Sequence, residues 1–201
     1  LVEAPELTGL SAEQIAVTHQ VARWAASESA GSSGAVLVRG VFGSGKTRVL
    51  AACIKLLDRL LTAKRDPRRI FLVCQTNTAV DAVLHCLLQQ HSWDNFARLG
   101  SFKTVDPALL YRTVSLMSTR QAAAKELSDA LEKRPPEVRA SLQSAVEHGV
   151  LPPRAVVWRR RRLVAGTTAA LEAAEHLGAD ALRCPLVLVD EATQLTEPAV
   201  F

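Results

Sequence analysis

Residues 40–47 read Gly-Val-Phe-Gly-Ser-Gly-Lys-Thr, and no other segment restricts the fold of this chain so tightly. The pattern GxxxxGK[ST] requires a strand before it and a helix after it. Its glycines turn backbone N–H groups inward around an anion, and the helix N-terminus then adds further donors and a positive dipole end. The short apolar run Ala35–Val38 predicts a buried strand on one side. On the other, Leu50, Cys53, Ile54, Leu57 and Leu61 recur at helical spacing. Gly40, Gly43, Ser44 and Gly45 are therefore expected to wrap phosphates. Lys46 is expected to bridge the β- and γ-phosphates, and Thr47 to place its hydroxyl on Mg²⁺. An ordinary glycine-rich strand-to-helix turn would not need the lysine and threonine.

The same alternation continues along the chain. Ile70–Cys74, Phe96–Leu99, Leu163–Ala165 and Leu186–Val189 read as strands. A helix starting at Ser11 is predicted to bury Val17, Val21 and Trp24, and another to bury Val80, Val83, Leu84, Leu87 and Leu88. Strands alternating with amphipathic helices predict an α/β fold with a parallel sheet flanked by helices. After Lys103 the pattern breaks. One helical candidate runs to Arg134, and another carries Val138, Leu142 and Val146, so residues 103–162 are read as a helical insertion between two strands of one sheet. Residues 1–102 and 163–201 then form the two parts of the host domain.

Charge is unevenly spread. The chain of 201 residues has 24 basic and 20 acidic side chains. Arg154 and Arg159–Arg162 all lie in the acid-free stretch from His148 to Leu171, and setting them aside leaves the rest close to neutral. A local basic patch suits a polyanion. A solvated helix end or a nuclear localisation run explains Arg159–Arg162 equally well. Cys53, Cys74, Cys86 and Cys184 form no CxxC pair, and His19, His85, His91, His148 and His176 show no ligand spacing, so a metal cluster is not expected. No apolar run approaches a membrane span and no basic-then-apolar leader opens the chain. The expectation is a soluble nuclear or cytoplasmic protein.

Leu186-Val-Leu-Val-Asp-Glu191 is an apolar strand ending in two acids. Asp190 could hold Mg²⁺, and Glu191 could orient an attacking water. A kinase acting on a small molecule would not need that glutamate. A nucleoside triphosphatase would.

Flanking residues then carry a resemblance. Asp190-Glu-Ala-Thr-Gln194 has the form seen in superfamily 1 helicases, and Leu10-Ser-Ala-Glu-Gln14 resembles the helicase segment whose glutamine reads adenine. Ser11 and Gln14 also satisfy a capping box, which needs no nucleotide. Gln75-Thr-Asn-Thr-Ala-Val-Asp81 resembles motif Ia of the superfamily 1 helicases related to the nonsense-mediated-decay helicase and senataxin, Arg98-Leu-Gly-Ser101 resembles motif Ib, and Val164-Ala-Gly-Thr-Thr168 resembles motif Ic. Within that family, Gly-Val-Phe-Gly-Ser-Gly-Lys and Asp190–Pro198 are similar to the branch bearing a GRF-type zinc finger.

The resemblance implies a RecA-like P-loop NTPase domain using ATP and Mg²⁺. It assigns Lys46, Asp190, Glu191 and Gln194 to catalysis, Gln14 to adenine, and Thr76, Asn77, Arg98, Ser101, Thr167 and Thr168 to single-stranded nucleic acid. It also implies 5′-to-3′ DNA translocation in repair and recombination, and a second RecA-like domain beyond this truncated one to supply an arginine finger. DNA is favoured, but an RNA helicase of the same superfamily, a nucleotide-driven switch and a degenerate scaffold stay open. Backbone-gripping motifs carry no base information.

Overall fold

Every residue of Ile70–Cys74 is buried, as a strand in the middle of a parallel sheet must be. This computed structural model describes residues 4–27, 35–41, 43–115, 120–133, 135, 136, 139, 161–175 and 186–194. Its sheet has five strands: β1 (Ile70–Cys74), β2 (Phe96–Leu99), β3 (Thr113–Val114), β4 (Leu163–Thr167) and β5 (Leu186–Val189). Their order is β3-β2-β4-β1-β5, and every pair is parallel. Ile70 stands level with Leu163 on one side and Leu186 on the other, so the carboxyl ends of β1, β4 and β5 share one rim. Loops bearing chemistry belong on that rim in an open α/β sheet.

Among the described residues the helices are α1 (Ala12–Ala26), α2 (Lys46–Ala63), α3 (Asn77–His91), α4 (Arg120–Glu132) and α5 (Thr168–Glu175). The chain divides into two compact units, Leu1–Arg68 with Ala82–Asp94 and Arg69–Asp81 with Asn95–Phe201. In the first, α1 packs on α2, and Val21, Ala22 and Ala25 of one helix and Ala52, Ile54, Leu57 and Leu61 of the other are buried. α2 stops where Arg65 turns left-handed. Arg65 N then bonds Thr62 O at 3.1 Å, and Asp66 N bonds Leu61 O at 2.8 Å. This is a Schellman ending, with Pro67 close behind it. In the second unit, Phe71, Ala97, Leu99, Val114, Val164 and Ala170 form the core beside the sheet.

Three sequence expectations change. Ala35–Val38 takes no strand conformation. An apolar run signals a need for burial, but a strand also requires a neighbouring edge for its N–H and C=O groups. The buried face of α1 runs through Thr18, Val21, Ala22 and Ala25, one position round from Val17 and Trp24, which are half-buried. Finally, the stretch read as wholly helical after Lys103 holds β3, preceded by a 3₁₀ turn (Pro107–Arg112) that buries Leu109 and Leu110. The predicted helix through Val138, Leu142 and Val146 lies outside the described residues.

Candidate nucleotide site and nucleic-acid interface

The phosphate loop has the backbone its sequence demands. Gly43 and Gly45 take φ values of 77° and 78°, and Gly45 is the residue from which α2 starts. A Cβ at Gly45 would lie 2.9 Å from the Gln14 amide nitrogen, so both conformation and space select glycine there. At Gly40 a Cβ would meet the Ser44 hydroxyl at 2.7 Å. The Lys46 ammonium donates to the carbonyls of Gly40 and Val41, each at 3.0 Å, which folds the side chain back over its own loop. Thr47 is half-buried in the first turn of α2, while Gly43 and Ser44 are exposed.

Gln14 joins α1 to this loop. Its side-chain carbonyl accepts from Ser11 N at 2.8 Å, and Gln14 N donates to the Ser11 hydroxyl at 3.3 Å, which completes the capping box. Its amide Nε2 also donates to Ser44 O at 2.9 Å. The capping role and a link to the phosphate loop therefore coexist in one side chain. Thr18, one turn further, donates its hydroxyl to Gln14 O at 2.9 Å and helps hold that turn.

The acid pair follows β5 in the other unit. Asp190 N donates to Val73 O at 2.9 Å, which extends the β1–β5 ladder by one step. The chain then turns abruptly. Glu191 has φ 52°, a left-handed value uncommon for a side-chain-bearing residue, and its N–H donates to Asp190 Oδ1 at 3.0 Å. Glu191 is exposed and Asp190 half-buried. Gln194 closes a short 3₁₀ turn, Ala192–Gln194. Beside this corner the Cys74 thiol is pushed up to about 12, first by burial and then by the Asp190 charge.

The residues expected at nucleic acid divide into two kinds. Thr76 is exposed and Asn77 half-buried at the start of α3, where the Thr76 hydroxyl accepts from Ala79 N at 3.2 Å. Thr168 is half-buried at the start of α5. Thr167, by contrast, is only 9% exposed, and its hydroxyl accepts from Ala170 N at 3.2 Å as a cap for α5. Ser101 is half-buried and donates its hydroxyl to Glu126 on α4.

Arg98 departs furthest from expectation. It is fully buried, with Nε 2.7 Å from Asp81 Oδ1, Nη2 2.8 Å from Asn77 Oδ1, and Nη1 donating to Leu99 O. A guanidinium so enclosed does not reach a phosphate backbone directly. The reason is its position: β2 is buried at all four residues, so a charge there has to find its partners inside.

Residues 18–150 match the family described as AAA domain. The chain belongs to that family. It is also 32% identical over 172 residues, 81% of its length, to a mouse (Mus musculus) protein named 5'-3' DNA helicase ZGRF1. That alignment spans 9% of the mouse protein. The likeness to superfamily 1 helicases therefore holds, and the AAA domain has the RecA-like α/β form with a parallel sheet.

Thr47 in the first unit carries a hydroxyl and Asp190 in the second a carboxylate, both hard oxygen donors of the type Mg²⁺ prefers. Among the described residues no group of three or more His, Cys, Asp and Glu could hold a metal by itself. No helix among the described residues is long and apolar enough to cross a membrane. Sequence reasoning missed Glu126. Its carboxylate is buried and accepts from Ser101 and, at 2.8 Å, from the Ser115 hydroxyl. In Lys-Glu-Leu-Ser-Asp it reads as an ordinary charge on a solvated helix. The pairing of Asp81, already quoted in the segment Gln75–Asp81, with Arg98 was missed but could have been found: a lone arginine within an apolar strand implies an acid nearby.

Proposed function

We propose that this chain is the nucleotide-binding motor part of an ATP-dependent helicase, coupling ATP hydrolysis to 5′-to-3′ movement along single-stranded DNA in nuclear repair or recombination. The observation carrying this reading is the phosphate loop, with left-handed glycines, α2 opening at Lys46, and Lys46 poised over the loop. The polarity and the choice of DNA over RNA are supported by the name of the mouse relative.

In this reading the loop N–H groups and the N-terminus of α2 bind phosphate oxygens, and the Lys46 ammonium exchanges its two carbonyl partners for the β- and γ-phosphates. Thr47 and Asp190 are the residues that would hold Mg²⁺, and the ion would supply positive charge to offset that developing on the phosphates. Glu191 orients the attacking water, and Gln194 senses the γ-phosphate. Gln14 is assigned the adenine edge, reached from a turn already tied to Ser44. Thr76, Asn77, Ser101 and Thr168 line the strand's backbone. Arg98 and Thr167 support that surface from within. A second RecA-like domain is assigned the arginine finger, an element worth about 10³–10⁵ in turnover.

The test uses the intact protein on DNA duplexes carrying either a 5′ or a 3′ single-stranded tail. ATP-dependent unwinding of the 5′-tailed duplex alone is expected, and it should vanish in Lys46→Ala. Unwinding from the 3′ tail, or none from either, would overturn the assignment.

A further inference from the structure

We propose that Arg98 is a positioning residue for Asn77: it fixes the Asn77 amide so that its N–H donors, and not its carbonyl, face the phosphates of a bound strand. The inference rests on the single-strand grip proposed above and assigns the donor within it.

The chemistry of the two groups settles the orientation. A guanidinium has five N–H donors and no acceptor, whereas an asparagine amide has a carbonyl at one end and an NH₂ at the other. Arg98 Nη2 lies 2.8 Å from the Asn77 side chain, so the end facing it has to be the carbonyl. The NH₂ end is then turned away from the buried arginine, on a residue that is half-buried at the first position of α3. Among the described residues Nδ2 makes no hydrogen bond. Non-bridging phosphate oxygens only accept, so this is the polarity a backbone grip requires.

The clamp is itself held rigid. Asn77 and Asp81 are four apart on α3 and share one helix face, and the Arg98 fork spans both. The second Asp81 oxygen accepts from Asp106 N at 2.9 Å, and Nη1 of Arg98 is tied to Leu99 O. Arg98 is fully enclosed, so the fork has no solvent-exposed alternative. Asn77 therefore meets a ligand with its rotamer already restricted, which lowers the ordering cost of binding. A lysine at position 98 would keep the charge opposite Asp81 but could not fork across three acceptors.

The experiment measures the affinity of the intact protein for a fluorescein-labelled oligo-dT by anisotropy, in a cycle of Asn77→Ala, Arg98→Lys and the double variant, with Asn77→Asp alongside. Asn77→Ala should weaken binding about tenfold, as expected for a hydrogen bond to a charged group. Arg98→Lys should weaken it when Asn77 is present and add nothing when residue 77 is alanine. Equal losses in both backgrounds, or no loss from Arg98→Lys, would show that Arg98 does not act through Asn77. Asn77→Asp keeps an acceptor toward Arg98, so its Tm should hold while affinity falls at least as far as in Asn77→Ala. Parent-like binding by Asn77→Asp would refute the donor polarity without depending on how well Arg98→Lys folds. Parent-like binding by Asn77→Ala would remove the grip at this turn, and the inference with it. Failure of the parent protein to bind oligo-dT at all would instead sink the proposed function.

Discussion

Glu191 sits in a left-handed backbone conformation at the corner after β5, where an L side chain is strained. That strain has a consequence separable from chemistry. Glu191→Gly should raise Tm, since relieving a left-handed non-glycine residue is worth about 1 kcal/mol, and should abolish turnover because the carboxylate is gone. Glu191→Gln keeps the strain and should leave Tm unchanged, bind ATP and hydrolyse it poorly. Parallel melting and ATPase assays check both halves. Cys74 reports on the same corner through pH. Its thiol is raised from 9.0 to about 12, chiefly by burial, so the folded protein binds a proton that the unfolded chain releases above about pH 9. The associated stability is complete below pH 9 and is lost as pH rises toward 12. Iodoacetamide labelling of Cys74 across pH 8–11 should stay slow in the native state and rise with a midpoint near 9 in denaturant.

Among the elements, β2 carries a fully buried charge, Arg98. Removing the Asp81 carboxylate leaves the enclosed Arg98 guanidinium without its charge partner, and breaking a buried pair in this way costs about 3–5 kcal/mol. Asp81→Ala should therefore lower the urea midpoint by a corresponding amount, whereas Thr76→Ala, on an exposed turn, should lower it far less. Much of this element structure was legible in advance. β1, β2, β4 and β5 are apolar runs, apart from Arg98 in β2 and Gly166 and Thr167 at the end of β4, and α2 carries a regular apolar stripe beginning right after its glycine loop. β3 was not legible, because two residues show no alternation and Thr113-Val114 joins the sheet only through the edge of β2. The segment at 35–38 misled in the opposite direction: apolarity suggested a strand, but an apolar run does not by itself set an extended conformation. The face of α1 was off by one position because alanines and Thr18, which carry little hydrophobic signal, line its buried side. In the site, the phosphate loop and Asp190–Glu191 were readable because their chemistry is local in sequence. The roles of Arg98, Thr167 and Glu126 depended on burial and on partners 3 to 25 residues away, which spacing does not reveal.

For the whole molecule, charge and nucleotide turnover link the local readings. The basic run begins outside the described residues at Arg159 and Arg160. Arg161 and Arg162 are half-buried where the chain enters β4, and the Arg162 carbonyl accepts from Ile70 N at 2.9 Å. If the run grips the strand, replacing Arg159–Arg162 with serine should lower the slope of log K against log salt by roughly 0.7 for each phosphate left unneutralised. An unchanged slope would leave it as a solvated or targeting segment. In the proposed function this AAA domain hydrolyses ATP in response to a single strand. Steady-state ATPase activity of the intact protein, measured with and without oligo-dT, tests it most directly. The account predicts a large rise in turnover on adding oligo-dT, falling by about 10²–10³ in Lys46→Ala, the scale of removing one hydrogen-bond donor from a transition state. Turnover that ignored the oligonucleotide, or that survived Lys46→Ala, would contradict it.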